Sequence, residues 1–214
     1  MLKNKKLSIL GDSVSTYKGV SNDVNANATL YYNPYHYKGG MPLEKTYWSL
    51  VMREFGMTLC VNNSWSSGNL SGRDNPDSGV NRACNLSRDD GTKPDLIIVF
   101  MGLNDLGRGI PTEVFAADYE RTLLTIRDRH PEAKVCCINI PDRDSRIKKR
   151  TEELNERIAE AVKSAGEGFF AADLFSSRLN NDFYYINTTD GLHPDEDGMR
   201  EIAAVVTDAI KANL

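Results

Sequence analysis

The chain has 214 residues, 40% hydrophobic and 26% charged, with a net charge of −4 and a pI near 5.5. That length and balance predict one globular domain able to bury about 70% of its unfolded surface. The acidic balance leaves no general basic surface for phosphates, which argues against a nucleic-acid partner, and no apolar run approaches a membrane span.

The opening MLKNKK is basic, like the start of a leader, but only LSIL follows before GDS. Four apolar residues are too few for a signal core, so a cytoplasmic protein is expected, although a chain already trimmed of its leader would read the same way. Cys60, Cys84, Cys136 and Cys137 show no CxxC spacing and read as free thiols of a reducing compartment.

In chain order, short apolar runs alternate with amphipathic ones. A strand is expected over 6–10, a helix over about 43–55 and a strand over 58–62. A strand over 95–101 and a helix over about 112–129 follow, then a strand over 134–140 and a helix over about 148–165. A strand over 168–172 and a helix over about 195–213 close the chain. Alternation of this kind predicts an α/β protein with a parallel sheet. Two stretches interrupt it, 18–41 (rich in Asn, Gly and Tyr) and 71–94 (rich in Asp, Asn, Ser and Gly). Both are long for structureless connections, so they are candidates for function, for short helices, or for both.

The chemistry-bearing residues lie just past the strands. Ser13, in LGDSVS, leaves the first strand where open parallel sheets bind ligands, but a serine there is equally a turn or capping residue. A nucleophilic serine needs a base. Of three histidines, His130 in RDRHP reads as a surface residue at a helix end, and His36 lies in the irregular YHYK. His193 lies in TTDGLHP, where a turn through Gly191 can fold the Asp190 carboxylate onto Nδ1 and leave Nε2 free to take a proton. After DLIIVFM, Gly102, Asn104 and Asp105 read either as a helix start or as a place from which the Asn104 amide reaches a developing oxyanion. Gly68 follows the second strand and, lacking Cβ, can bring backbone close to a ligand.

Taken together, these blocks resemble the SGNH hydrolases, also called GDSL-type esterases and lipases. GDS at 11–13, GxND at 102–105 and DGLHP at 190–194 match, in order, from Leu7 to the C-terminus. The resemblance implies a three-layer α/β/α sandwich on a five-stranded, mainly parallel sheet, flavodoxin-like. It implies Ser13 as nucleophile, His193 as base and Asp190 as its partner. It also implies an oxyanion hole from the Ser13 N–H, the Gly68 N–H and the Asn104 side chain. The second block is the loosest, since SSG leaves Ser67 as an alternative to Gly68. Asp12 reads as a brace bonding loop N–H groups, close enough to the nucleophile to count with the substrate-contact candidates Trp65, Tyr35 and Tyr185. No G-x-S-x-G is present, so the nucleophile elbow of α/β-hydrolases is not the scaffold.

No metal or other cofactor is expected; the acidic DEDG after His193 reads as the first turn of the last helix. Tyr31, Tyr32, Tyr35, Tyr37, Tyr184 and Tyr185 read either as a rim suited to sugars or as loops packed on themselves. Trp48 reads as core and Trp65 as nearer the site. The expectation is a small-acyl esterase acting on a small-molecule or glycan ester. An O-acyltransferase on the same fold and a carbohydrate-binding protein with a silent triad are the alternatives.

Overall fold

The structure is a computed structural model that describes residues 2–21, 32–33, 40–179 and 187–214. Among these residues five strands are present: β1 (Lys6–Gly11), β2 (Thr58–Ser64), β3 (Leu96–Phe100), β4 (Lys134–Ile138) and β5 (Phe169–Ala172). They form one sheet in the order β2-β1-β3-β4-β5, and every pairing is parallel. Their apolar runs follow from that position, because a parallel sheet is covered on both faces. β3, LIIVF, is buried along its whole length.

Among the described residues six helices cover the sheet: α1 (Tyr47–Phe55), α2 (Gly79–Arg82), α3 (Leu103–Gly107), α4 (Thr112–Arg129), α5 (Lys148–Ala165) and α6 (Glu196–Asn213). α1 packs on α6, and α4 packs on α5 and α2, which gives the two outer layers of the α/β/α sandwich. Trp48, on the inner face of α1, is 1% exposed and belongs to the core, as expected. The helix expected from about 43 begins only at Tyr47. Thr46 is extended (ψ 146°) and its hydroxyl caps Ser49 N–H, so Leu43–Lys45 forms a separate 3₁₀ turn.

The stretch 71–94 contains α2 and is tied internally by Asn81. Its amide donates to the carbonyls of Asn75 (2.7 Å) and Arg73 (2.9 Å). Further along, Arg88 caps the open edge of β2 by donating to the Cys60 and Leu59 carbonyls, which shields unpaired strand groups. The four cysteines are free thiols. His130, expected at the surface, is 5% exposed with neither ring nitrogen hydrogen-bonded; it opens the turn into β4, where its carbonyl accepts from Ala133 N–H. No helix among the described residues is long and apolar enough to cross a membrane.

The order 2-1-3-4-5 places the reversal of winding between β1 and β3. The crevice at their carboxyl ends is where such sheets bind ligands. Ser13 follows β1 and Asn104 follows β3, so both stand at that crevice.

Candidate active site

β1 ends at Gly11 because the chain there has no room for a side chain. A Cβ on Gly11 would lie 2.5 Å from Ser15 Cβ and 2.7 Å from Ser64 Oγ. The next residues make a 3₁₀ turn, Ser13–Ser15, capped by Asp12, whose carboxylate accepts from Val14 N–H at 3.0 Å. This turn presents the Ser13 hydroxyl, and as the first residue of the turn Ser13 keeps its N–H outside the turn's hydrogen bonds.

His193 reaches the same point from the other end of the chain. Its Nε2 is 3.0 Å from Ser13 Oγ, and its Nδ1 is 2.8 Å from Asp190 Oδ2. Gly191, at φ 80°, makes the turn that allows this. Asp190 Oδ1 accepts from the N–H groups of Leu192 (3.0 Å) and His193 (2.8 Å), so the loop's own backbone fixes the carboxylate. Burial opposes the charge on Asp190, but these N–H groups and the His193 ring outweigh it and hold the carboxyl below its ordinary value. The loop is clamped by α6: a Cβ on Gly198 would meet the Asn187 carbonyl at 2.5 Å.

Of the two readings open for the tyrosines, Tyr32 takes the packed one. It is fully buried rather than on a rim, donates to the Pro194 carbonyl at 2.7 Å, and meets the His193 ring edge-on with centroids 6.1 Å apart. It supports the imidazole from behind. Tyr35 and Tyr185, with Tyr31, Tyr37, Tyr184 and His36, lie outside the described residues.

Asn104 sits inside α3, after Gly102 has turned the chain at φ 124°. Its Nδ2 donates to the Gly68 carbonyl at 3.0 Å, while its separation from Asp12 Oδ2 is 3.5 Å. The second contact is at the limit of a hydrogen bond, so one amide proton can be given to a ligand oxygen. Gly68 differs from expectation. Its N–H donates to the Trp65 carbonyl at 3.1 Å, closing a turn in which Ser67 adopts φ 59°. Donation from Gly68 to a ligand therefore requires that bond to be shared or opened.

Asp12 is 1% exposed and sits beneath the crevice, so the brace is what the geometry supports and direct substrate contact is not. Burial drives its carboxyl up to about 7, against the Val14 N–H and the Arg82 charge. An unfolded carboxyl near 3.8 releases its proton earlier, so the folded chain binds more protons between these values and loses stability as pH rises through the window. Asp12→Asn abolishes this titration. Relative to wild type, its unfolding free energy should rise by on the order of 4 kcal/mol between about pH 4 and about pH 8. Urea melts at both ends test this; a difference independent of pH would show that Asp12 titrates normally.

Arg82, which the sequence reading passed over, and Asp105, read there only within the GxND block, hold the crevice together. Arg82, buried in α2, donates to the carbonyls of Gly11 (3.1 Å), Asp77 (2.8 Å) and Asn63, and lies under the half-buried Trp65 ring at 5.9 Å. Asp105, fully buried, accepts from Leu70 N–H (2.7 Å) and Ser71 N–H (2.9 Å), and burial raises its carboxyl against those bonds. The ends of β1, β2 and β3 are thereby laced to one another.

A model of the GDSL-like Lipase/Acylhydrolase family matches residues 9–201. No curated protein matches the sequence. Among solved structures, one from Bacteroides ovatus described as a GDSL-like lipase is 21% identical, with a TM-score of 0.74 over 98% of this chain and 99% of that one. A second, from Bacteroides uniformis and described likewise, is 25% identical, with a TM-score of 0.71 over 98% and 96%. A carbohydrate esterase family 2 enzyme from Corynascus thermopiles, solved with its carbohydrate binding domain, is 18% identical. Its TM-score is 0.68 over 98% of this chain and 66% of that one. The family match runs from within β1 into α6, through every strand of a sheet with the same architecture, and the chain belongs to the GDSL-like lipase/acylhydrolase family of ester-bond hydrolases.

Proposed function

We propose that the protein is a serine esterase that removes small acyl groups, including acetyl groups on carbohydrates, through an acyl-enzyme. The observation that carries the reading is the continuous relay from Asp190 through His193 to Ser13, with separations of 2.8 and 3.0 Å. Ser13 Oγ attacks the ester carbonyl as His193 Nε2 takes its proton, and Asp190 stabilises the imidazolium that forms. The oxyanion is received by the Ser13 N–H and Asn104 Nδ2, and by the Gly68 N–H once its turn bond is shared. His193 then protonates the leaving alcohol, and water repeats the sequence on the acyl-enzyme.

Small polar substrates are supported by the rim, where Gly68, Asn69, Asn104 and Arg108 are small or polar. Carbohydrate esters are supported by the likeness in fold to the family 2 carbohydrate esterase. The test pairs fluorophosphonate labelling with rates on 4-nitrophenyl acetate and octanoate. Labelling at Ser13 and faster cleavage of the acetate are expected; faster cleavage of the octanoate would overturn the small-acyl reading.

Asn104→Ala should lower kcat by about 10²–10³ with little change in KM, because its donation matters most once the oxygen is charged. Steady-state kinetics on the acetate check this, and an equal loss carried in KM would assign Asn104 to ground-state binding instead.

A further inference from the structure

On the reading of Ser13 as nucleophile, we infer that Tyr32 is a positioning residue for the second half of the reaction, holding the His193 ring in place while the acyl-enzyme is hydrolysed. Two contacts of Tyr32 close on the base. Its hydroxyl donates to the carbonyl of Pro194, the residue after His193, at 2.7 Å. Its ring stands at 78° to the imidazole, with centroids 6.1 Å apart. Tyr32 is itself fixed. It is fully buried, its carbonyl accepts from Lys18 N–H at 3.0 Å, and the carbonyl of the next residue, Asn33, accepts from Met41 N–H at 3.1 Å. The bond to Pro194 joins positions 162 apart in the chain, so it belongs to tertiary packing and not to the DGLHP turn.

Such a hold matters unequally to the two halves of the reaction. Before acylation the imidazole is gripped at both ends, Nδ1 by Asp190 at 2.8 Å and Nε2 by Ser13 Oγ at 3.0 Å. Once Oγ carries the acyl group it has no proton to donate, and the grip at Nε2 is lost. The Asp190 bond then holds one end of a ring that can pivot about it. The Asp190 side chain is 36% exposed, so water competes for that bond as well. Yet Nε2 must now take a proton from a water as the water oxygen attacks the acyl carbonyl. When the carbonyl–Oγ bond breaks, its electron pair stays on Oγ, which takes that proton back from Nε2, and the free acid leaves. A displacement of about 1 Å at such a step costs on the order of 10²-fold. The two ring planes are nearly perpendicular, so a swing of the imidazole toward Tyr32 is blocked by a packed ring that the Pro194 bond keeps from yielding.

The test separates the two halves with 4-nitrophenyl acetate. There kcat/KM reports acylation alone, whereas the decay of acetyl-enzyme, followed by mass spectrometry after an acid quench, reports deacylation. Rates are referred to sites titrated with a fluorophosphonate, so misfolded molecules do not count. Tyr32→Leu should slow the decay by about 10²-fold, with kcat/KM within about fivefold of wild type and KM lowered as acetyl-enzyme accumulates. Tyr32→Phe, which keeps the ring and loses the Pro194 bond, should recover the decay to within about tenfold of wild type. An unchanged decay in Tyr32→Leu, a fall in kcat/KM as large as the fall in decay, or a decay in Tyr32→Phe as slow as in Tyr32→Leu would overturn the assignment of Tyr32. Wild-type protein decides the matter even where a variant fails to fold. After fluorophosphonate labelling blocks Ser13 Oγ, nuclear Overhauser contacts between the Tyr32 and His193 rings should persist, and their loss would show that the ring is not held once the serine is modified. No acetyl or phosphonyl adduct at Ser13 would instead remove the esterase reading itself, and the role of Tyr32 with it.

Discussion

Replacing Ser13 with alanine is expected to lower kcat by about 10⁴–10⁶, a loss of roughly 5–8 kcal/mol of transition-state stabilisation. The effect should fall on kcat rather than on KM, because the Ser13 hydroxyl is bonded to the His193 ring and not to a group that recognises substrate. The fold should survive. The turn around Ser13 is held by its carbonyl, which accepts from Thr16 N–H and Oγ1, and by the Asp12 cap, and all three remain in the variant. Ser15, two residues on, cannot take over. It is fully buried and its hydroxyl is 2.7 Å from the Tyr47 hydroxyl, facing the core. Rates on 4-nitrophenyl acetate, with labelling by a fluorophosphonate, check the prediction. Activity within tenfold of wild type, or labelling that persists in the variant, would remove Ser13 from its assigned role.

Serine and histidine meet here from positions 180 apart in the chain, so what matters energetically is how firmly each strand end is held before substrate arrives. Donors placed in advance need no reorganisation as charge develops. Arg82 draws the carbonyls at the ends of β1 and β2 toward one guanidinium, and Asp105 fastens the residues after Gly68 to α3. Asp12 caps the nucleophile's turn through the Val14 N–H. These buried charges are matched mainly by backbone groups, so they orient loops rather than add much net stability.

This division explains what could be read from the sequence. GDS, GxND and DGLHP are legible because their chemistry is local: the Asp12 cap, the Gly102 turn and the Asp190–His193 contact each span three residues or fewer. The strands are legible because a sheet covered on both faces demands continuous apolar runs. Arg82 is not, because its bond to Gly11 spans 71 residues, and the motif that marks Asp105 does not reveal its reach to Leu70, 35 residues back. α2 and α3, of 4 and 5 residues, are too short for a helical period to emerge. His130 is misread for a related reason: it sits in the polar stretch RDRHP, where nothing local marks it as buried.

Asp190→Asn is expected to lower kcat by on the order of 10³–10⁴ while leaving the loop's shape unchanged. Asp190 Oδ1 is already committed to two backbone N–H groups, so the oxygen of an asparagine takes that place. The amide nitrogen must then occupy the position of Oδ2, 2.8 Å from His193 Nδ1. An NH₂ there can only donate, which forces Nδ1 to accept and moves the ring proton to Nε2. That nitrogen faces Ser13 Oγ at 3.0 Å and, once protonated, cannot accept the serine's proton. Because 36% of the Asp190 side chain is open to solvent, water can relax part of the mismatch, which argues for the lower half of the range. Two measurements check this: kcat on the acetate, and nitrogen NMR of the His193 ring, which should show the proton on Nδ1 in the wild type and on Nε2 in the variant. A variant whose kcat stays within tenfold, or whose ring keeps its proton on Nδ1, would show that Asp190 does not select the tautomer.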